Sequence, residues 1–230
     1  MESNSSIQKE NSLAPYNVWF IADLHIKHKN ILHHQPRRIE VMGLENGEDI
    51  LNHDKYIIDM WLSKTHRHDH IYVLGDFIMS DQQTALYILN RLKSNGCKIH
   101  LVVGNHDKAT QKMFNMFESI ELIKIVNFKS SVFPFLKEDL QVVMCHYPMK
   151  TWPNKCRGSL MLHGHTHDNS PWEHDGSDDL QLNVGFDCPI ANYELINLEQ
   201  IYQIYQEKLQ GFSPKHYSDE MCKVNPHYIR

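Results

Sequence analysis

The amino-acid sequence predicts an α/β fold, and three patterns carry that reading. Strand-like and helical signals alternate from Val18 to about Asn105, the order that builds parallel strands joined by crossover helices. Five apolar runs, within residues 18–25, 71–76, 99–107, 141–146 and 159–167, each end in a cluster of Asp, Asn or His. The polar group always stands at the C-terminal end of its run, the edge where open α/β sheets place their ligands. After residue 120 the strand-like runs follow one another through short turns, without regular helices between them.

The first run, Val18-Trp-Phe-Ile-Ala22, is aromatic and β-branched, as a buried strand requires. Residues 27–46 are polar and predict a loop with some helix. A helical stripe follows, with Ile50, Ile57, Ile58 and Trp61 on one face. Residues 71–74 predict the second strand. Ser80-Asp-Gln-Gln83 has the spacing of a capping box and opens a helix lined by Ala85, Leu89 and Leu92, with Leu86 beside them. Asn95-Gly96 supplies the stop, and residues 99–103 predict the third strand. Runs at 121–128, 132–136, 141–145, 160–163 and 181–186 predict a more antiparallel sheet, with Lys137-Glu-Asp139 as the clearest turn. An amphipathic helix from 198 to about 209 ends at Gly211. With no internal repeat and no linker, one domain is expected over residues 15–212, after a polar, disordered leader (1–14) and before a polar tail (213–230).

A chain of 230 residues with 41% hydrophobic and 22% charged residues is ordinary for one globular domain. No segment has the length of a transmembrane helix, and the N-terminus lacks the apolar core of a signal peptide, so a cytoplasmic enzyme without a membrane partner is the expectation. A net charge of −5 supplies no overall basic field for nucleic acid. Five cysteines without a CxxC pair argue against a disulfide framework or a structural zinc knuckle. Histidine is the outlier, with 17 residues, of which His66, His68, His70, His100, His174, His216 and His227 carry no assigned function.

The strand-end residues do. Asp23 and His25 are two apart, so on an extended backbone both point to one side and reach one cation. His165 and His167 repeat that spacing. Asp76 follows a glycine that lets the chain turn, and its two oxygens can bridge two ions. Asn105 adds a hard amide oxygen, and His146 completes the set. These seven donors exceed one tetrahedral zinc, but shared between two ions with Asp76 bridging they leave positions for water and substrate. Nitrogen and oxygen donors without cysteine suit Mn, Fe, Zn, Ni or Co and do not choose among them, with Mn taken as the first expectation. Two such divalent ions form a clamp for displacement at phosphorus, in which a metal-bound water becomes the nucleophile. His106 is then free to assist the leaving oxygen, and Asp107 to orient it.

In this order, Asp23-Leu-His25, Gly75-Asp76, Gly104-Asn-His-Asp107, His146 and Gly164-His-Thr-His167 resemble the calcineurin-like metallophosphoesterase superfamily. The closer similarity is to small bacterial and phage phosphoesterases, through Asp23 to Asn30, His146-Tyr-Pro148 with Trp152, and Asn183 to Asp187. Lys27 stands where these proteins often carry glycine, which points to a change at the pocket rim. The resemblance implies two packed mixed β-sheets flanked by helices in a four-layer sandwich. It implies a first metal on Asp23, His25, Asp76 and His167, a second on Asp76, Asn105, His146 and His165, and His106 against the scissile phosphate.

A phosphate-ester substrate follows, with a nucleotide or oligonucleotide among its forms and a phosphodiester favoured because His106 is retained. Phosphomonoesterase, nucleotidase and nuclease activity on ends are the alternatives within this chemistry. A non-catalytic protein-binding scaffold is the alternative of another class. His28, Asn30 and Arg37 are candidate substrate contacts, with Arg38 a further guanidinium and Tyr147 and Trp152 as stacking surfaces. His163 is expected behind the ligands, fixing one of them. Loops at 27–46, 149–158 and 169–179 hold the substrate preference, and nothing in the sequence fixes the oligomeric state.

Overall fold

The three N-terminal apolar runs lie side by side in parallel, as their alternation with helices requires. The computed structural model describes residues 15–167 and 180–211. The expected leader and tail, and the loop at 169–179, lie outside the described residues. Strands β1 (Val18–Ile21), β2 (His70–Val73) and β3 (Lys98–Val102) pair in register, Val18 beside His70 and His70 beside Lys98. β4 (Ser119–Glu121) continues them in parallel. A second sheet holds β5 (Ile123–Phe128), β6 (Leu140–Cys145), β7 (Leu160–His163) and β8 (Gln181–Asn183), in that order. β9 (Ile196–Asn197) returns antiparallel to β1, so the first sheet runs β4-β3-β2-β1-β9.

Three expectations about the second half are corrected. Among the described residues of the second sheet, only β5 and β6 pair antiparallel, whereas β6–β7 and β7–β8 are parallel. The connection from β6 to β7, residues 146–159, is long enough to cross over instead of folding back as a hairpin. Residues 132–136 form no strand. They turn through bonds such as Val132 N–H to Lys129 O and bury Phe133 and Leu136 against the core. The run at 121–128 is divided between the two sheets, β4 ending at Glu121 and β5 starting at Ile123, with Leu122 exposed at the break.

Five helices flank the sheets among the described residues: α1 (Ile31–His34), α2 (Arg37–Met42), α3 (Ile50–Lys64), α4 (Gln82–Leu92) and α5 (Leu198–Gly211). The cap of α4 is Asp81 and not Ser80. Its carboxylate accepts from the amides of Gln83 and Thr84 and from the Thr84 hydroxyl, satisfying donors that a helix start leaves open. Ile88, with Ala85, Leu89 and Leu92, takes the buried face, and Leu86 is exposed. α5 buries Leu198, Ile201, Tyr202 and Tyr205 at helical spacing.

The core lies where the sheets meet. Phe20 of β1 stacks on Tyr72 of β2 at 5.6 Å and meets Phe128 of β5 edge-on at 6.1 Å. The β1 chain then passes between the sheets. Ala22 accepts from Phe186 N–H and donates to Val184 O, while Asp23 N–H donates to Gly75 O. That stitch holds the first polar cluster against the second sheet. No helix among the described residues is long and apolar enough to cross a membrane.

Candidate metal centre

The loops after β1, β2, β3, β6 and β7 open at one common edge. The i, i+2 geometry expected of an extended chain is not what brings their side chains together. β1 has ended by Ile21, and the backbone is left-handed at Asp23 (φ 59°), His25 (52°), Asp76 (52°), His165 (71°) and His167 (49°). A non-glycine residue there costs on the order of 1–3 kcal/mol, and such strain gathers at functional sites. Hydrogen bonds hold the conformation: His25 N–H to Asp76 O at 2.9 Å and Ile26 N–H to Phe77 O at 3.0 Å. Close packing of glycines makes room. A Cβ on Gly164 would stand 2.5 Å from Asp23 Oδ2, and one on Gly104 2.5 Å from Asp76 N.

Two groups of ligand-type side chains result: Asp23 with His25 and His167, and Asp76 with His146 and His165. Within each group one ligand atom per residue lies within 4.8 Å of the others. Asp76 stands between the groups, its Oδ2 3.6 Å from His25 Nε2 and 3.5 Å from His146 Nε2. Asn105 Oδ1 lies 3.1 Å from His146 Nε2 and joins the second group.

These donors fit a cation. Asp23 Oδ1 and His25 Nε2 are buried with no hydrogen-bond partner. His146 Nδ1 lies 2.8 Å from Leu74 O, which assigns its proton to that nitrogen and turns the Nε2 lone pair toward Asn105 and Asp76. With that ring neutral, three acceptors converge on one point, and either a proton on Nε2 or a divalent ion satisfies them. His167 Nδ1 is likewise held by Asp187 Oδ2 at 2.7 Å.

The electrostatics agree. Burial pushes the Asp23 carboxyl up to about 6 and the His25 imidazole down to about 2, with the Arg38 charge assisting the latter. Burial also works to raise Asp76, but the bonds and charges of His146, the His106 amide and His25 outweigh it and hold that carboxyl at about 2. At His146 and His167 burial is outweighed in the other direction: Asp76 and Asp187, with Asp23, draw protons onto these rings. A cation held by these rings would compete with those protons, so its binding strengthens as the pH rises.

A buried ion network supports this edge. Arg38, paired in the sequence with Arg37 as a phosphate contact, has 0% exposure and is fully committed inside. Its Nε and Nη2 donate to the two oxygens of Asp187 at 2.7 and 2.6 Å. The guanidinium also donates to Leu24 O (3.0 Å), Asp23 O (2.7 Å) and His53 Nε2 (2.9 Å). His53 Nδ1 in turn meets Asp54 Oδ1 at 3.0 Å, and Lys27 Nζ lies 3.1 Å from Asp54 Oδ2. Lys27 is thus tied inward to α3, and its φ of 68° is a conformation that favours glycine. The sequence carried one signal for this network: His53 and Asp54 fall on the same stripe of α3 as Ile57, Ile58 and Trp61, where polar residues need partners.

The remaining candidates are placed as follows. His106 Nε2 lies 4.0 Å from Asp76 Oδ2, and the His106 amide donates to Asp76 Oδ1 at 2.9 Å. Asp107 does not orient His106. Its buried carboxylate accepts from the amides of Asp76, Phe77 and Gly104 and from the Thr110 hydroxyl, fastening two loops together. The ring of His28 lies 5.2 Å from that of His25 and 6.0 Å from that of His106, at the mouth of the centre. Asn30 precedes α1 and is exposed, as is Arg37, which forms no ion pair among the described residues. His163 is buried and bonds Gly164 O in place of a ligand side chain. Tyr147 packs on His165 at 4.6 Å and is half-exposed, whereas Trp152 is buried and donates to Ser159 O.

A two-sheet α/β fold with carboxylate–imidazole groups at one strand edge defines a class, that of proteins able to hold divalent cations beside a substrate. The sequence model of the calcineurin-like phosphoesterases matches residues 16–169, and the chain belongs to that family. Similar proteins include the Gene 66 proteins of Mycobacterium phage L5, 23% identical over 66% of this chain and 77% of that protein, and of Mycobacterium phage D29, 23% identical over 85% and 98%. An uncharacterized protein of Methanocaldococcus jannaschii is 23% identical over 83% of this chain and 92% of its own length. A crystal structure of a protein of unknown function from Aquifex aeolicus shares the fold, with a TM-score of 0.59 at 21% identity over 82% of this chain and 99% of that one.

Proposed function

We propose that this protein is a dinuclear-metal phosphodiesterase, with Asp23, His25, Asp76 and His167 around one ion and Asp76, Asn105, His146 and His165 around the other. The observation that supports this reading best is the position of Asp76 Oδ2, 3.5–3.6 Å from an imidazole nitrogen of each group. Two divalent ions bound there, Mn being the first choice, would supply Lewis acidity at phosphorus and an activated water. The chain's own residues do the rest. Asp23 and Asp76 fix the charge of the pocket. Arg38 and Asp187 set the ligand loop and the His167 ring. His106, outside both groups yet beside Asp76, faces the reacting phosphate and delivers a proton to the leaving oxygen. A leaving alkoxide needs that proton in the transition state.

The test combines elemental analysis with hydrolysis of bis(p-nitrophenyl) phosphate. The expected result is close to two ions per chain after Mn loading and hydrolysis that chelation abolishes. Turnover indifferent to chelation, or less than one ion bound across Mn, Fe, Zn, Co and Ni, overturns the reading, and the latter result favours the protein-binding scaffold.

A further inference from the structure

A groove of about 580 Å³ runs from this edge, lined by Met79, Ser80, Gln82, His106, Lys108 and Lys112 among others. It begins at the centre itself, because Met79 Sδ lies 3.5 Å from His25 Nδ1 and His106 Nε2 lies 4.0 Å from Asp76 Oδ2. Its uncommitted charges are cationic. Lys108 and Lys112 are exposed and their ammonium groups make no ion pair or hydrogen bond among the described residues, whereas Lys27, Lys55, Lys64, Lys124 and Lys129 all have carboxylate partners. The carboxylate in the groove, Asp81, is turned onto its own helix by three bonds from Gln83 and Thr84. In a chain of net charge −5, two unpaired ammonium groups four residues apart form a local field that selects anions.

We propose that this groove is the leaving-group subsite and that it takes a leaving group carrying a second phosphate, as the next link of an oligonucleotide or the polyphosphate of a nucleotide does. The inference rests on the phosphoesterase reading above. If His106 protonates the departing oxygen, the departing group lies on the His106 side, and the groove beyond that residue receives it. A plain alkyl or aryl group would leave both ammonium groups unmatched. In the reaction water adds to phosphorus, the bond from phosphorus to the leaving oxygen breaks, and the proton from His106 is regained from solvent, with no change of oxidation state.

Two measurements on the full chain test this. The first is anisotropy of fluorescein-labelled hexathymidylate in EDTA, for the wild type, K108A/K112A and K108R/K112R. The second is kcat/KM with Mn for TpT, for pTpTp (which bears a phosphate on whichever nucleoside leaves) and for diadenosine tetraphosphate. Binding in EDTA should weaken about tenfold in the alanine variant and stay near the wild type in the arginine variant, with a smaller salt slope on loss of the two lysines. The wild type should prefer pTpTp to TpT, and the alanine variant should lose that preference. A lysine-dependent gain on diadenosine tetraphosphate without one on pTpTp assigns a nucleotide polyphosphate as the source. Equal binding by wild type and alanine variant, or a substrate preference that survives the double substitution, overturns the proposal. Lysine-dependent binding with no hydrolysis under any divalent ion keeps the anion groove and overturns the phosphoesterase reading instead.

Discussion

Arg38 and Asp187 form a bidentate pair inside the protein, at 2.7 and 2.6 Å, and Asp187 Oδ2 also receives His167 Nδ1 at 2.7 Å. One carboxylate therefore couples the Asp23–Leu24 loop, through the guanidinium, to a candidate ligand on another loop. Asp187→Asn keeps the shape but replaces an acceptor with an amide. A ligand's supporting hydrogen bond is worth about 10–100-fold in metal affinity. That loss is expected in competition with a chromogenic chelator, and unchanged affinity would refute the role. Arg38→Ala leaves Asp187 and two backbone carbonyls buried without their donors, a defect that costs about 3–5 kcal/mol. Urea unfolding of the metal-free variant should show it.

A second pair of histidines lies away from the centre and gives the fold an acid sensitivity. His70 Nδ1 and His100 Nε2 are 2.8 Å apart, and His100 Nδ1 meets Ser119 Oγ at 3.0 Å. Burial, with the His70 charge second, pushes His100 down to about 3. The unfolded chain, with its ordinary value near 6.5, binds the proton more readily than the folded chain does. Stability from this group is therefore complete above about pH 6.5 and is lost as the pH falls toward 3, by up to about 2 kcal/mol at pH 5. His100→Gln removes the titrating ring. The fall in unfolding free energy between about pH 7.5 and pH 5 should be smaller in the variant by roughly that amount, and an equal fall would exclude the assignment.

The parallel order of β1, β2 and β3 was legible because each buried strand leads through a helix to the next. The grouping of the seven donors was legible because each donor closes an apolar run. Their backbone was not. Left-handed residues at Asp23, His25, Asp76, His165 and His167 have no local sequence signal, since long-range bonds such as His25 N–H to Asp76 O impose them. The antiparallel order expected of β6 to β8 failed for a related reason, because short apolar runs do not encode the direction of their partners. Arg38 was misread because its neighbours Asp187, His53 and Leu24 come from three separate segments. The polar pair at His53 and Asp54 was the visible clue that something charged is buried beneath α3.

His106 is the residue on which the proposed proton transfer turns, and its position separates that role from metal binding. Its Nε2 lies 4.0 Å from Asp76 Oδ2, and neither group of ligand-type side chains includes it. His106→Ala should therefore retain the metal content of the wild type. Its turnover should depend on the leaving group. An alkoxide needs a proton in the transition state, so loss of a general acid should slow a dinucleotide such as TpT by about 10²–10⁴-fold. A p-nitrophenolate departs without one, so bis(p-nitrophenyl) phosphate should be slowed far less. Side-by-side rates on these two diesters, with Mn content measured on the same samples, decide the matter. Equal slowing of both would show that His106 holds the phosphate instead of protonating the leaving oxygen, and loss of metal would place it among the ligands.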